Sequence, residues 1–154
     1  MRLTAKSRYA VTALLDLAIH SQHKQVTLAD IAERHVISLS YLEQLFARLR
    51  QAGLVKGIRG PGGGYRLTKP ANDITIAAII DGVNEPISVR ACEGDENCFH
   101  GGQCLAHELW ADLDQEISNY LSNITLGDVL VQQSQVRHRR VAESVLTFTQ
   151  SVKA

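Results

Sequence analysis

No stretch of this 154-residue chain comes near the roughly 18 uninterrupted apolar residues that a membrane-crossing helix requires, so no membrane span is expected. The first residues, MRLTAKSRYAVTALLDLA, lack both the apolar block and the small-residue cleavage site of a signal peptide, and a cytoplasmic location is expected. Cysteine is scarce and odd in number, with three in all. Without a secretion signal, that count argues against structural disulfides and for a ligand or redox role. No C-x-x-C pair occurs, and no phosphate-binding glycine motif opens a helix after a buried strand. A thiol oxidoreductase therefore has no support, and the chain is not expected to be an enzyme. No internal repeat is found, and prolines number only three.

What is present fits one globular domain: 45% of residues are hydrophobic and 21% charged. The formal net charge of zero hides an asymmetry. Met1 to Pro70 carries 11 lysines and arginines against 4 acids, a balance of +7; Ala71 to Ala154 carries 5 against 12, a balance of −7. Such a split suggests one part that meets a polyanion and another that does not.

Along the chain, Thr4 can cap a helix in which Ala10, Ala13, Leu14, Leu17 and Ala18 recur at spacings of three and four, lasting to about Ser21. After the polar break SQHKQ, Thr27 and Asp30 form a capping box for a short helix from Leu28 to about Arg34. Ser38 or Ser40 caps the next helix, YLEQLFARLRQA, with Leu42, Leu45, Phe46 and Leu49 inward and Gly53 at its left-handed end. The period then changes: LVKGIR and YRLT read as strands around GPGGG, a hairpin flanked by Lys56, Arg59 and Arg66. Directly behind a helix-turn-helix pattern, this hairpin reads as a wing. Thr75 opens a further helix, IAAIIDGV, ending near Gly82. From Glu93 to Gln103 apolar periodicity vanishes, and it returns with Leu105, Leu109, Leu113, Ile117, Leu121 and Ile124, joined by Trp110. That stripe exceeds what the rest of the chain can cover, which suggests packing on its twin in a second chain. TLGDVLVQQ reads as a last short helix, and the tail from Ser134 has weak amphipathic character.

The loop CEGDENCFHGGQCLAH holds every cysteine: Cys92, Cys98 and Cys104, with His107 three positions further on. If Cys104 starts the long helix, His107 lies one turn on along the same face. The acidic, glycine-containing surroundings offer these thiols no core to pack in. Three cysteines and a histidine suit either tetrahedral zinc or an iron-sulfur cluster, and the residues alone do not separate the two. The wide spacing lacks the close cysteine pair usual for zinc. His100 competes with His107 for the fourth position but reads more simply as a solvated loop histidine.

Five segments in order carry a family resemblance: MRLTAKSRYAVTALLDLA, ISLSYLEQLFARLR, GLVKGIRGPGGGYRL, the cysteine loop, and LWADLDQEISNYLSNITLGDV. Together they resemble the IscR family of iron-sulfur cluster-assembly transcriptional regulators, from Met1 to about Leu130; the tail departs from it. Related nitric-oxide-sensing repressors, with a carboxylate partner and a different loop, match less well. The resemblance implies a mainly α fold: a winged helix-turn-helix DNA-binding domain with a β-hairpin wing and a long C-terminal dimerisation helix. It divides the chain into a DNA-binding region (1–82), a cluster-binding loop (83–104), the dimerisation helix with a short following helix (105–132) and a tail (133–154). It further implies a homodimer that binds a [2Fe-2S] cluster through Cys92, Cys98, Cys104 and His107, receives it from a cluster-assembly scaffold, and controls cluster-assembly genes, repressing its own operon.

In such a protein the helix from Ser40 to about Ala52 lies in the major groove of double-stranded operator DNA. Its first turn presents Ser40, Tyr41, Glu43 and Gln44 to base edges. The resemblance makes Glu43 the residue that influences which of two operator classes is bound. Arg59 on the wing is the candidate for the minor groove, and Arg2, Lys6, Arg8, Arg48, Arg50 and Lys56 are candidates for phosphate contacts.

Overall fold

Threonine hydroxyls open helices at four points of the described chain, each accepting a backbone N–H that the first turn would otherwise leave unpaired. In the computed structural model, which describes residues 4–21, 25–85 and 105–136, Thr4 accepts from the amide of Lys6 at 3.2 Å and starts α1, Ala5–His20. Thr27 and Asp30 exchange side-chain and backbone hydrogen bonds at 3.1 and 3.0 Å, the expected capping box, and start α2, Leu28–His35. Thr75 accepts from Ala78 and starts α4, Ile76–Gly82. Thr125 and Asp128 make a further box in front of a helix over residues 126–136, here α6.

Between α2 and α4 lie the elements that matter most for function. Of the two candidate serines, Ser38 caps α3, Leu39–Gln51, by accepting from Tyr41; Ser40 is already the second residue of the helix, and its hydroxyl pairs with that of Ser38 at 2.9 Å. At the other end Gly53 takes φ +71°, its amide donates to Arg50, and the amide of Leu54 donates to Leu49. That pair of bonds stops the helix and turns the chain directly into β1, Val55–Ile58. β2, Gly64–Leu67, returns antiparallel, with Lys56 opposite Arg66 and Gly57 opposite Tyr65. The tip is a turn in which Gly63 donates to Gly60 at 2.8 Å around Pro61 and Gly62, the latter at φ +76°; this is the type II geometry that proline then glycine favours. The tip is thereby held in one shape. A contact outside the sequence reading adds a third line of chain: Tyr65 donates to the carbonyl of Val26 at 2.8 Å, a one-residue bridge too short to leave a periodic signal.

One core serves all of this. Ala13, Leu14 and Leu17 of α1, Ile31 of α2, and Leu42, Phe46 and Leu49 of α3 meet Val26, Val55, Ile79 and Ile80 with little or no exposure. The late part of the chain joins the same core. Ile76 donates to Ile124 and Leu126 donates to Ile74 at 2.9 and 2.8 Å, and Leu126 is fully buried. α5, His107–Asn123, packs on α4 through its C-terminal part, where Leu121 and Ile124 reach the core. It begins at His107, with Leu105 in the turn before it. Leu105 in that turn and Leu109, Trp110 and Leu113 in its first half are exposed.

Candidate nucleic-acid interface and metal-ligand residues

α3 buries one face and offers the other to solvent. Leu42, Leu45, Phe46 and Leu49 lie inward, so Ser40, Glu43, Gln44, Arg48 and Arg50 fall on the outer side and Tyr41 is half-buried at its edge. Two ring contacts fix how this helix stands. Phe46 meets Tyr65 of the wing edge-on, centroids 4.9 Å apart, and Tyr41 meets Tyr9 of α1 edge-on at 5.9 Å. These contacts join α3, the hairpin and the start of α1 into one continuous surface.

That surface has a groove on each side of α3. One, about 490 Å³, runs toward the wing and is lined by Arg50, Lys56 and Arg59, all exposed, together with Tyr65. Three cations around an open groove fit a polyanionic backbone. The other, about 580 Å³, lies toward α1 and is lined by Tyr9, Val36, Ser38, Ser40, Tyr41 and Gln44 among others. Arg8 is exposed on α1, and Arg2 lies outside the described residues.

Two of the expected phosphate-contacting residues are engaged within the protein. Arg48 donates to the carbonyl of Val83 at 3.3 Å and Lys6 to that of Asn84 at 3.4 Å, so both cations sit at the carbonyl end of α4, where a helix favours positive charge. Ser7 completes the clasp: its amide donates to Glu85 at 2.9 Å and its hydroxyl donates to the same carboxylate oxygen. Burial pushes the Glu85 carboxyl up, yet hydrogen bonds from Ser7 and Thr4 and the charge of Lys6 hold it below its ordinary value. Glu85 is the last described residue before the cysteine segment. Sequence reasoning missed this clasp because its partners lie up to 78 positions apart.

A second unexpected cluster orients α2. Asp16, 3% exposed on α1, accepts from Arg34 Nε at 2.8 Å and Arg34 Nη2 at 2.6 Å, and its Oδ2 is hydrogen-bonded to His35 Nε2 at 2.9 Å. The turn that follows α2 contains Val36 at φ 54°, ψ 46°, a left-handed position.

The proposed ligands are split by what is described. Cys92, Cys98 and Cys104 lie outside the described residues, as do His100 and the expected one-turn step from Cys104 to His107. His107 is described: it is the first residue of α5 and is buried. Among the described residues no group of three histidines, cysteines or acids is close enough to hold a metal, and no helix is long and apolar enough to cross a membrane.

Comparison with known proteins decides the family. Residues 3–132 match the Rrf2 model, described as an iron-dependent transcriptional regulator. The chain belongs to the Rrf2 family. It is 58% identical to the HTH-type transcriptional regulator IscR of Photobacterium profundum over 130 residues, 84% of this chain and 76% of that protein. Against IscR of Serratia proteamaculans the identity is 56% over 133 residues, 86% and 81% of the two chains. Among solved structures, T. potens IscR superposes with a TM-score of 0.72 at 34% identity, covering 88% of this chain and 90% of that one. The global cysteine regulator CymR of B. subtilis gives a TM-score of 0.72 at 33% identity, covering 84% and 95%. As an Rrf2 member with these relatives, the chain is a DNA-binding transcription regulator with a winged-helix fold and not an enzyme.

Proposed function

We propose that the protein is a cytoplasmic homodimer that senses a [2Fe-2S] cluster, received from a cluster-assembly scaffold, and controls cluster-assembly genes, its own operon included. The observation that carries this reading is the donor set: three thiols and an imidazole in one short segment of a chain that belongs to a family of iron-dependent transcriptional regulators. That set suits a [2Fe-2S] group, since thiolates hold either iron and an imidazole can replace one of them. Cys92, Cys98, Cys104 and His107 would hold it, and it would supply an oxidisable, air-sensitive occupant of the site. The same donors suit zinc, which makes metal identity an outcome to be measured.

The rest follows from the chain's own residues. Ser40, Tyr41, Glu43 and Gln44 face base edges: Gln44 offers an amide matched to adenine, and Glu43 a carboxylate able to accept from cytosine N4. Arg50, Lys56 and Arg59 line the wing-side groove and neutralise the backbone, with Arg59 directed to the minor groove and Arg2 and Arg8 to phosphates. Arg48 and Lys6, expected at phosphates, are also the link to the sensor, because they hold Val83 and Asn84 immediately before the cysteine segment. A ligand can change operator choice only by favouring one arrangement of the reading heads over another. The clasp at Val83 to Glu85 supports such a route, since it touches both α1 and α3. The favoured arrangement is one that relieves Glu43 of a mismatched base.

The test is Cys92→Ala. It should remove the visible absorption of protein isolated without air and abolish binding to the cluster-dependent operator class while sparing the other. Equal loss at both classes would contradict a switch.

A further inference from the structure

We propose that Val36 is a specificity-determining residue of the reading head, which takes the C5-methyl group of a thymine in each operator half-site. The inference rests on the reading face assigned to α3. Three observations meet at this side chain. First, Val36 is 93% exposed, so core packing does not account for a branched apolar residue there. Second, its backbone sits at φ 54°, ψ 46°, a region that glycine occupies freely and β-branched residues rarely enter. The turn itself would be better served by glycine, so the conformation does not account for valine either. Third, Val36 lines the α1-side groove together with Ser38, Ser40 and Gln44, on the reading side of α3.

The chemistry of the side chain narrows what it can meet. Two methyl groups cannot pair with phosphate or with any donor or acceptor on a base edge. In the major groove the apolar group on offer is the thymine methyl. Its neighbour Gln44 carries the amide suited to adenine, thymine's complement, so the two residues together would read an A·T-containing step. The basic half of the chain brings the duplex to this surface, with Arg50, Lys56 and Arg59 on the far side of α3.

The experiment uses the full chain isolated without air and an operator selected from a random duplex library. Each thymine is replaced in turn by deoxyuridine, which deletes only the methyl group. The wild type should lose about fourfold in affinity at one thymine per half-site, roughly the worth of one methyl group taken out of water. Val36→Gly should bind the parent duplex about fourfold more weakly per half-site and be indifferent to uracil at that position. Its thermal midpoint should equal or exceed that of the wild type, because glycine relieves the backbone, and this separates lost recognition from lost fold. Val36→Asn, which also tolerates the left-handed region, should behave as Val36→Gly does. Uracil sensitivities unchanged from wild type in both variants would overturn the proposal. Gln44→Ala tests the reading face separately: it should lose an adenine preference and keep the uracil-sensitive thymine. Retention of every preference by Gln44→Ala would remove Gln44 from the reading face, and the uracil test of Val36 is scored independently of it.

Discussion

Asp16 is almost fully enclosed and still carries its charge, and the reason is local. Burial pushes its carboxyl up, but hydrogen bonds from Arg34 and His35 and the charges of Arg34 and His20 outweigh this and hold it below its ordinary value. Because the carboxyl ionises more readily in the folded state, its stabilising contribution is present above the unfolded value of 3.8 and is lost as pH falls through the lower folded value. Asp16→Asn should therefore cost about 2–3 kcal/mol near neutral pH, the scale of hydrogen bonds to a charged group. In urea titrations the gap between variant and wild type should stay constant down to about pH 4 and narrow below it; a gap that widens on acidification would contradict the assignment. None of this was visible in the sequence, since Asp16 and Arg34 are 18 positions apart and nothing in their spacing pairs them. Val36 was equally hidden: propensity argues against valine in a left-handed turn, so HVISLS reads as a turn without showing which residue takes the unusual backbone.

At the level of elements, local rules written into short segments came through intact. The Thr27 and Asp30 box, the Thr4 and Thr75 caps and the Gly53 stop all sit where the sequence places them, because each depends on residues a few positions apart. What depended on distant chain did not come through. The Val26 bridge to Tyr65 is one such case, and it explains why the wing cannot tolerate a side chain at Gly64. A Cβ on Gly64 would collide with the carbonyl oxygen of Val26, whereas one on Gly57 would meet only Tyr65 Cε1 at 3.8 Å. Gly64→Ala should therefore displace the hairpin and weaken operator binding roughly tenfold or more, as expected for a backbone clash of about 1–3 kcal/mol. Gly57→Ala should bind as the wild type does, and helical circular dichroism should be unchanged in both. Equal behaviour of the two variants in a binding titration would show that wing position is not set by this bridge. Of the candidate interface, the exposed face of α3 was readable from its 3.6-residue pattern, while the engagement of Arg48 and Lys6 with the end of α4 was not.

For the whole molecule, the first half of α5 is the feature a single chain leaves unfinished. Leu109 is 61% exposed and stands beside Trp110 and Leu113, while the other end of the same helix is tied into the core by Leu121 and by Ile124 just beyond it. Pairing with a second copy along this face would cover it and set two reading heads at a fixed separation, as a two-fold operator demands. Leu109→Glu should give a monomer in sedimentation velocity with a folded winged helix and operator affinity reduced to that of one half-site; a variant that remains dimeric would place the interface elsewhere. The cysteines were legible in sequence as a donor set but not as a cage, because ligand type is a property of residues and convergence is a property of the fold. The most direct test of the sensor is therefore chemical: iron, zinc and acid-labile sulfide measured on protein isolated without air, with the absorption spectrum recorded on the same sample. Iron and sulfide in equal amounts with visible absorption, lost on replacing Cys92, is the predicted result. Colourless protein containing zinc, or no metal at all, would contradict it.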